Sequence, residues 1–103
     1  IFAAALAHKL KKGVILARKP GKLPPPIKSV EYELEYGTDK LEMQDGTGRV
    51  VVVDDVVATG GTLTAAIKLT QDCGYEVVDT LCFIDLRFIH GRELDTKCVV
   101  TYD

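Results

Sequence analysis

The stretch VVVVDDVVATGGT at residues 50–62 sets two adjacent acids at the end of an oily run and two glycines between threonines just beyond. Ionised Asp54 and Asp55 can only accept hydrogen bonds, which suits hydroxyls or a hydrated cation and makes approach to a bare phosphate repulsive. A sugar diol is the better match. Ala58, Thr59, Gly60, Gly61 and Thr62 then offer backbone N–H groups without bulky side chains, and two hydroxyls, just ahead of a predicted helix whose N-terminus is electropositive. That pattern suits a monophosphate. The glycines do not match GxGxxG and no GKT or GKS ending follows, so the common dinucleotide and triphosphate loops fit poorly. Taken alone, the acids are equally explained as helix caps, and a glycine pair is more often a structural turn. Their succession favours a phosphosugar site.

Arg18, Lys19 and Lys22, within RKPGKLPPP, could neutralise an anion, although lysines and arginines beside prolines are commonly plain solvent-facing charges. Glu35 shares the polar face of an alternating segment with Glu31 and Glu33, and alternation alone cannot separate a reacting carboxylate from its neighbours. Tyr36 reads equally as a packed strand aromatic, and Val56 as a core valine. His8 and His90 lack a cysteine or carboxylate pattern that would specify zinc. Cys73 reads as a packing residue at a helix end, since no base is identified for it.

These residues must be held by a small set of elements. Residues 2–12 carry Phe2, Leu6 and Leu10 at helical spacing, with the helix expected to end at Gly13. Val14 to Ala17 lacks polar alternation and predicts a strand buried on both faces. The prolines of residues 20–26 forbid continued ladder pairing, so the basic segment is expected to be a rim loop. Residues 30–36 alternate acids with apolar side chains, which predicts one arm of a hairpin returning through 38–43. The next strand is expected at 49–53, stopping at the acids, followed by a helix at 62–73 with Leu63, Ala66, Ile67 and Thr70 inward. Gly74 is expected to close that helix in a left-handed conformation. Further strands are predicted at 77–84 and 98–101. Alternating helices and oily strands predict an α/β fold with a mostly parallel sheet flanked by helices, ligands gathering beyond the C-terminal strand ends.

The 103 residues amount to at most one domain. Hydrophobic residues make up 47% and charged residues 27%, proportions of a globular domain rather than a disordered or fibrous chain. A net charge of −2 and the lack of an interleaved aromatic platform argue against a nucleic-acid partner, although seven of the basic residues precede Gly37. No run is long and apolar enough to cross a membrane. Three widely spaced cysteines offer neither a disulfide framework nor a CxxC motif, which predicts a reduced, cytoplasmic protein.

Residues 50–62 resemble the phosphoribosyl-pyrophosphate (PRPP) motif of the type I phosphoribosyltransferases. Two further blocks, RKPGKLP at 18–24 and LEYG at 34–37, resemble segments of the adenine-directed branch of that family and occur in its order. The resemblance covers nearly the whole chain and is weakest from Leu86 to Asp103. It implies a phosphoribosyltransferase core with a flexible hairpin over the active site. The family's N-terminal hood lies outside residues 1–103, and the connection between Met43 and Arg49 is shorter than the family's. The implied reaction joins adenine to the phosphoribosyl group of PRPP, giving AMP and pyrophosphate, with magnesium bound alongside PRPP and a homodimer as the assembly. By carry-over, Asp54 and Asp55 would hold the ribose hydroxyls, and Ala58 to Thr62 the 5′-phosphate. Arg18, Lys19 and Lys22 would bind pyrophosphate, and Val56 would line the purine side. Glu35 would act as general base at the purine, and Tyr36 would help close the loop. A transferase for hypoxanthine, guanine or xanthine, or a non-catalytic regulator on the same fold, would share the phosphosugar motif.

Overall fold

The computed structural model describes residues 2–34, 37–58, 60–86 and 97–102. Helix α1, Phe2–Leu10, follows from its alanine-rich sequence. It ends earlier than expected, because Lys11 takes the left-handed conformation (φ 56°). The Lys11 and Lys12 N–H groups then donate to the His8 and Ala7 carbonyls at 3.3 and 2.8 Å, the paired bonds of a Schellman ending. Gly13 lies beyond the stop.

Val14 to Ala17 departs from the expectation of a buried strand. The segment makes no ladder, and Val14, Ile15 and Leu16 are exposed at 45, 45 and 51%. An oily run becomes a central strand only if neighbours pair with it and layers cover both its faces. Among the described residues, nothing does either. Pairing starts at Arg18, whose N–H and carbonyl bond Glu42 at 2.9 and 2.7 Å.

The predicted hairpin is present as β1, Lys28–Leu34, and β2, Gly37–Met43, antiparallel and in unbroken register from Lys28↔Met43 to Leu34↔Gly37. Register partners share a face, so Val30, Tyr32, Leu41 and Met43 form its inner side, while exposed Glu31 pairs with Lys40 at 3.4 Å on the outer one. Strand β3, Gly48–Val57, helix α2, Gly61–Asp72, and strand β4, Tyr75–Leu86, make a strand–helix–strand unit with parallel strands. Strand β5, Lys97–Tyr102, extends the sheet in parallel, in the order β3-β4-β5.

Helix α2 lies between hairpin and sheet. Leu69 and Cys73 pack with Leu41 and Met43 of the hairpin, and Leu63 packs with Val57 and Cys82 of the sheet. Burying apolar surface against two partners is what fixes the hairpin relative to the sheet. It also widens the helix's inward stripe. Leu63 and Thr70 are buried as expected, joined by Ala65 and Leu69, whereas Ala66 and Ile67 are only half-buried. Met43, the last residue of β2, is a core residue at 4% exposure. Gly74 has φ 110° and donates to the Gln71 carbonyl, ending α2 as predicted. Among the described residues no helix is long and apolar enough to cross a membrane, and no disulfide joins the three cysteines.

Candidate functional site

Strand β3 does not stop at its acids. It continues through Val57 in register with β4, pairing Asp54 with Cys82 and Val57 with Asp85. Regular strand geometry therefore holds at Asp54 and Asp55, and their side chains leave opposite faces. A shared-proton dyad is ruled out by that alternation. Asp54 is half-buried and Asp55 is exposed. The Asp55 N–H donates to Asp54 Oδ1 at 2.8 Å.

A depression of about 130 Å³ opens where β3 gives way to α2. Its polar wall is Asp54, Gly60 and Thr62, its apolar wall Val56 and Ala58, with Val57 and Leu63 beneath. Drug-sized ligands need roughly 300 Å³ or more, so this space suits one group of a ligand rather than a whole nucleotide. Gly60 stands at the N-cap with φ 90° and ψ −4°, and its carbonyl accepts the first helical bond from the Thr64 N–H at 2.9 Å. The first turn of α2 carries no acid, and Gly60 has no side chain with which to cap it. Among the described residues, no acid in the first turn of α2 itself neutralises its positive end, which favours an anion there.

Burial pushes the Asp54 carboxyl above its ordinary value, opposed by the Asp55 N–H and reinforced by the Asp55 charge. Folded Asp54 therefore holds its proton more tightly than unfolded Asp54. Its ionisation costs stability once pH rises above the folded value, and the cost fades as pH falls toward 3.8. Asp54→Asn, which keeps an oxygen for the Asp55 N–H, is expected to raise the melting midpoint at pH 7 to 8. The gain should shrink toward pH 4. Thermal unfolding across that pH range checks it; a lower midpoint at pH 7 would contradict the burial argument.

The structure thus gathers Asp54, Val56, Ala58, Gly60 and Thr62 around one depression, with Gly61 opening α2. Val56 is 44% exposed, which removes the alternative of an ordinary core valine. Thr59, Glu35, Tyr36 and His90 lie outside the described residues. Arg18, Lys19 and Lys22 line no part of the depression and belong instead to a loop bound along the hairpin. There the Gly21 N–H donates to Glu42 Oε1 at 2.9 Å, and Gln44 Nε2 donates to the Pro24 carbonyl at 3.1 Å. Lys19 Nζ donates to Tyr32 Oη at 3.0 Å and forms an ion pair with Asp39. Sequence reasoning missed Tyr32, Asp39 and Glu42 as organisers of this loop, and missed fully buried Asp85 at the end of β4. The Tyr32–Asp39 pairing could have been found by setting the hairpin register, since alternation places both on its inner face. Among the described residues no group of three or more histidine, cysteine or acidic side chains could hold a metal ion.

The chain is similar to known proteins over nearly all of its length. The adenine phosphoribosyltransferase of Hydrogenovibrio crunogenus is 50% identical over 107 residues, an alignment covering 100% of this chain and 62% of the relative. Among solved structures, the Thermoanaerobacter pseudethanolicus adenine phosphoribosyltransferase superposes with a TM-score of 0.89 at 43% identity, covering 98% of this chain and 63% of that one. The Saccharomyces cerevisiae adenine phosphoribosyltransferase, complexed with D-2,5-dideoxy-2,5-imino-altritol 1,6-bisphosphate and adenine, gives 0.84 at 34% identity over 94% of this chain and 58% of its own. The chain spans less than two thirds of the length of each of these relatives. The family model described as phosphoribosyl transferase domain matches residues 1–103 throughout, and the chain belongs to that family.

Proposed function

We propose that the protein, in its full-length form, transfers the 5-phosphoribosyl group of PRPP to adenine, releasing AMP and pyrophosphate. The observation that carries this reading is the depression at the β3–α2 junction, which a half-buried acid and the N-terminal turn of a helix line together. That pairing recognises a sugar phosphate from both ends. Backbone N–H groups and hydroxyls at Ala58 to Thr62 bind the 5′-phosphate. Asp54 accepts from the ribose hydroxyls, and Asp55, whose side chain leaves the opposite face of β3, steadies the Asp54 carboxylate through its N–H. Val56 lines the purine side.

In the reaction, adenine N9 forms the new bond to ribose C1 as the bond from C1 to the pyrophosphate oxygen breaks. Positive charge grows on the sugar and negative charge on the leaving group. Arg18, Lys19 and Lys22 stabilise that leaving charge, and Glu35 removes the N7 proton that N9 attack makes acidic. Tyr36 helps to close the hairpin tip over the site. Magnesium fits the donor set as an ion carried largely on the phosphates of PRPP, since it binds through one or two carboxylates plus substrate oxygens. When bound, it neutralises charge on the leaving diphosphate. The location we propose is the cytoplasm, consistent with three cysteines joined in no disulfide. The assembly we propose is a homodimer, for which exposed Leu10 and Val14 to Leu16 provide an apolar surface.

The test uses the full-length protein with PRPP and magnesium, offering adenine, hypoxanthine, guanine and xanthine separately. AMP formation from adenine, stoichiometric with pyrophosphate, is the expected result. Preference for another base would overturn the choice of acceptor. Tight magnesium-dependent PRPP binding without turnover would replace the enzyme with a regulator.

A further inference from the structure

Lys19 is held unusually well for a lysine in a surface loop. Its ammonium has three N–H donors. One goes to Tyr32 Oη at 3.0 Å, and another meets the Asp39 carboxylate. The same ammonium lies 5.6 Å from the centroid of the Tyr32 ring. Tyr32 and Asp39 are register partners on β1 and β2, so the strand pairing itself sets phenol and carboxylate side by side. Tyr32 also packs against the Leu41, Met43, Leu69 and Cys73 cluster. The seat is therefore anchored to α2, whose other end borders the β3–α2 depression.

Stabilising the fold does not account for this arrangement. The Lys19 and Asp39 side chains are 55 and 29% exposed, and pairs this wet contribute little to folding. The arrangement instead fixes where one positive charge stands. It acts with the two Arg18–Glu42 backbone bonds and the Gly21–Glu42 bond, which fasten the rest of the basic loop to β2.

We infer that Tyr32 and Asp39 are positioning residues that hold the Lys19 ammonium for the diphosphate of PRPP and make the basic loop and the hairpin respond to it as one unit. The inference rests on the diphosphate-binding role proposed for Lys19. With two donors committed, the ammonium keeps a third for a ligand oxygen, and less rotamer freedom is lost on binding than for an unanchored lysine. Asp39→Asn keeps the size of the side chain and removes the charge that holds Lys19.

The experiment compares the full-length protein with Lys19→Ala, Asp39→Asn, Asp39→Glu and the Lys19→Ala/Asp39→Asn double variant, reading kcat, KM for PRPP and melting midpoint. Lys19→Ala should raise KM for PRPP about 30-fold, and Asp39→Asn about tenfold with kcat within about twofold and an unchanged midpoint. Asp39→Glu should recover most of the loss. The double variant should be no worse than Lys19→Ala, because the acid acts only through the lysine. An unchanged KM in Asp39→Asn beside a raised KM in Lys19→Ala would overturn the seat and leave the diphosphate reading standing. Multiplying effects in the double variant would overturn it equally. An unchanged KM in Lys19→Ala would overturn both, and would place the failure in the role of Lys19 itself.

Discussion

Exchange of Glu35 for glutamine in the full-length protein is expected to lower kcat about 100- to 1000-fold while KM for PRPP moves less than about threefold. A factor of that size corresponds to about 3 to 4 kcal/mol of barrier. It is the amount general-base catalysis supplies when a carboxylate accepts a proton in the transition state. Glutamine keeps the shape and one acceptor oxygen but cannot take the proton. In the proposed reaction PRPP would be held by other groups, at the β3–α2 junction and on the basic loop. A steady-state comparison, with adenine saturating, separates the two quantities. A kcat loss below about tenfold would remove Glu35 from the proton transfer.

The second large effect is expected at Gly60. Its φ of 90° lies where an L-residue is strained by about 1 to 2 kcal/mol, and the backbone there borders the depression that would admit the phosphate. Gly60→Ala should raise KM for PRPP about 30-fold or more and lower the melting midpoint by several degrees. Both changes have one cause, since relieving the strain rotates the peptide away from the helix mouth. Parallel kinetics and thermal unfolding check it. An unchanged KM with a lowered midpoint would mean that Gly60 shapes the turn without contributing to the phosphate seat.

The parts of the fold set by local pattern were legible in the sequence. Alternation in VEYELEY defines the hairpin, the oily run before Asp54 defines β3, and Gly74 marks the end of α2 because its backbone needs a positive φ there. The parts set by neighbours were not. Val14 to Leu16 has the composition of a central strand, yet no described element pairs with it. Leu69, at 0% exposure, outranks Ile67 because α2 is covered on two sides, which a single-face helical pattern does not express. Lys11 rather than Gly13 ends α1, since two backbone bonds compensate for its left-handed conformation. Within the candidate site, the phosphosugar half was written in consecutive residues. The seat of Lys19 joins residues 13 and 20 positions away and required the hairpin register.

The measurement that bears most directly on the central claim is a calorimetric titration of the full-length protein with AMP and with adenosine. The two ligands differ only in the 5′-phosphate. Two charge-assisted hydrogen bonds at the mouth of α2 are together worth about 3 kcal/mol or more, so AMP is predicted to bind at least about 100-fold more tightly. Gly60→Ala should erase most of that difference while leaving adenosine binding unchanged. Equal affinity for AMP and adenosine would contradict the account, because the β3–α2 junction would then not be reading a phosphate.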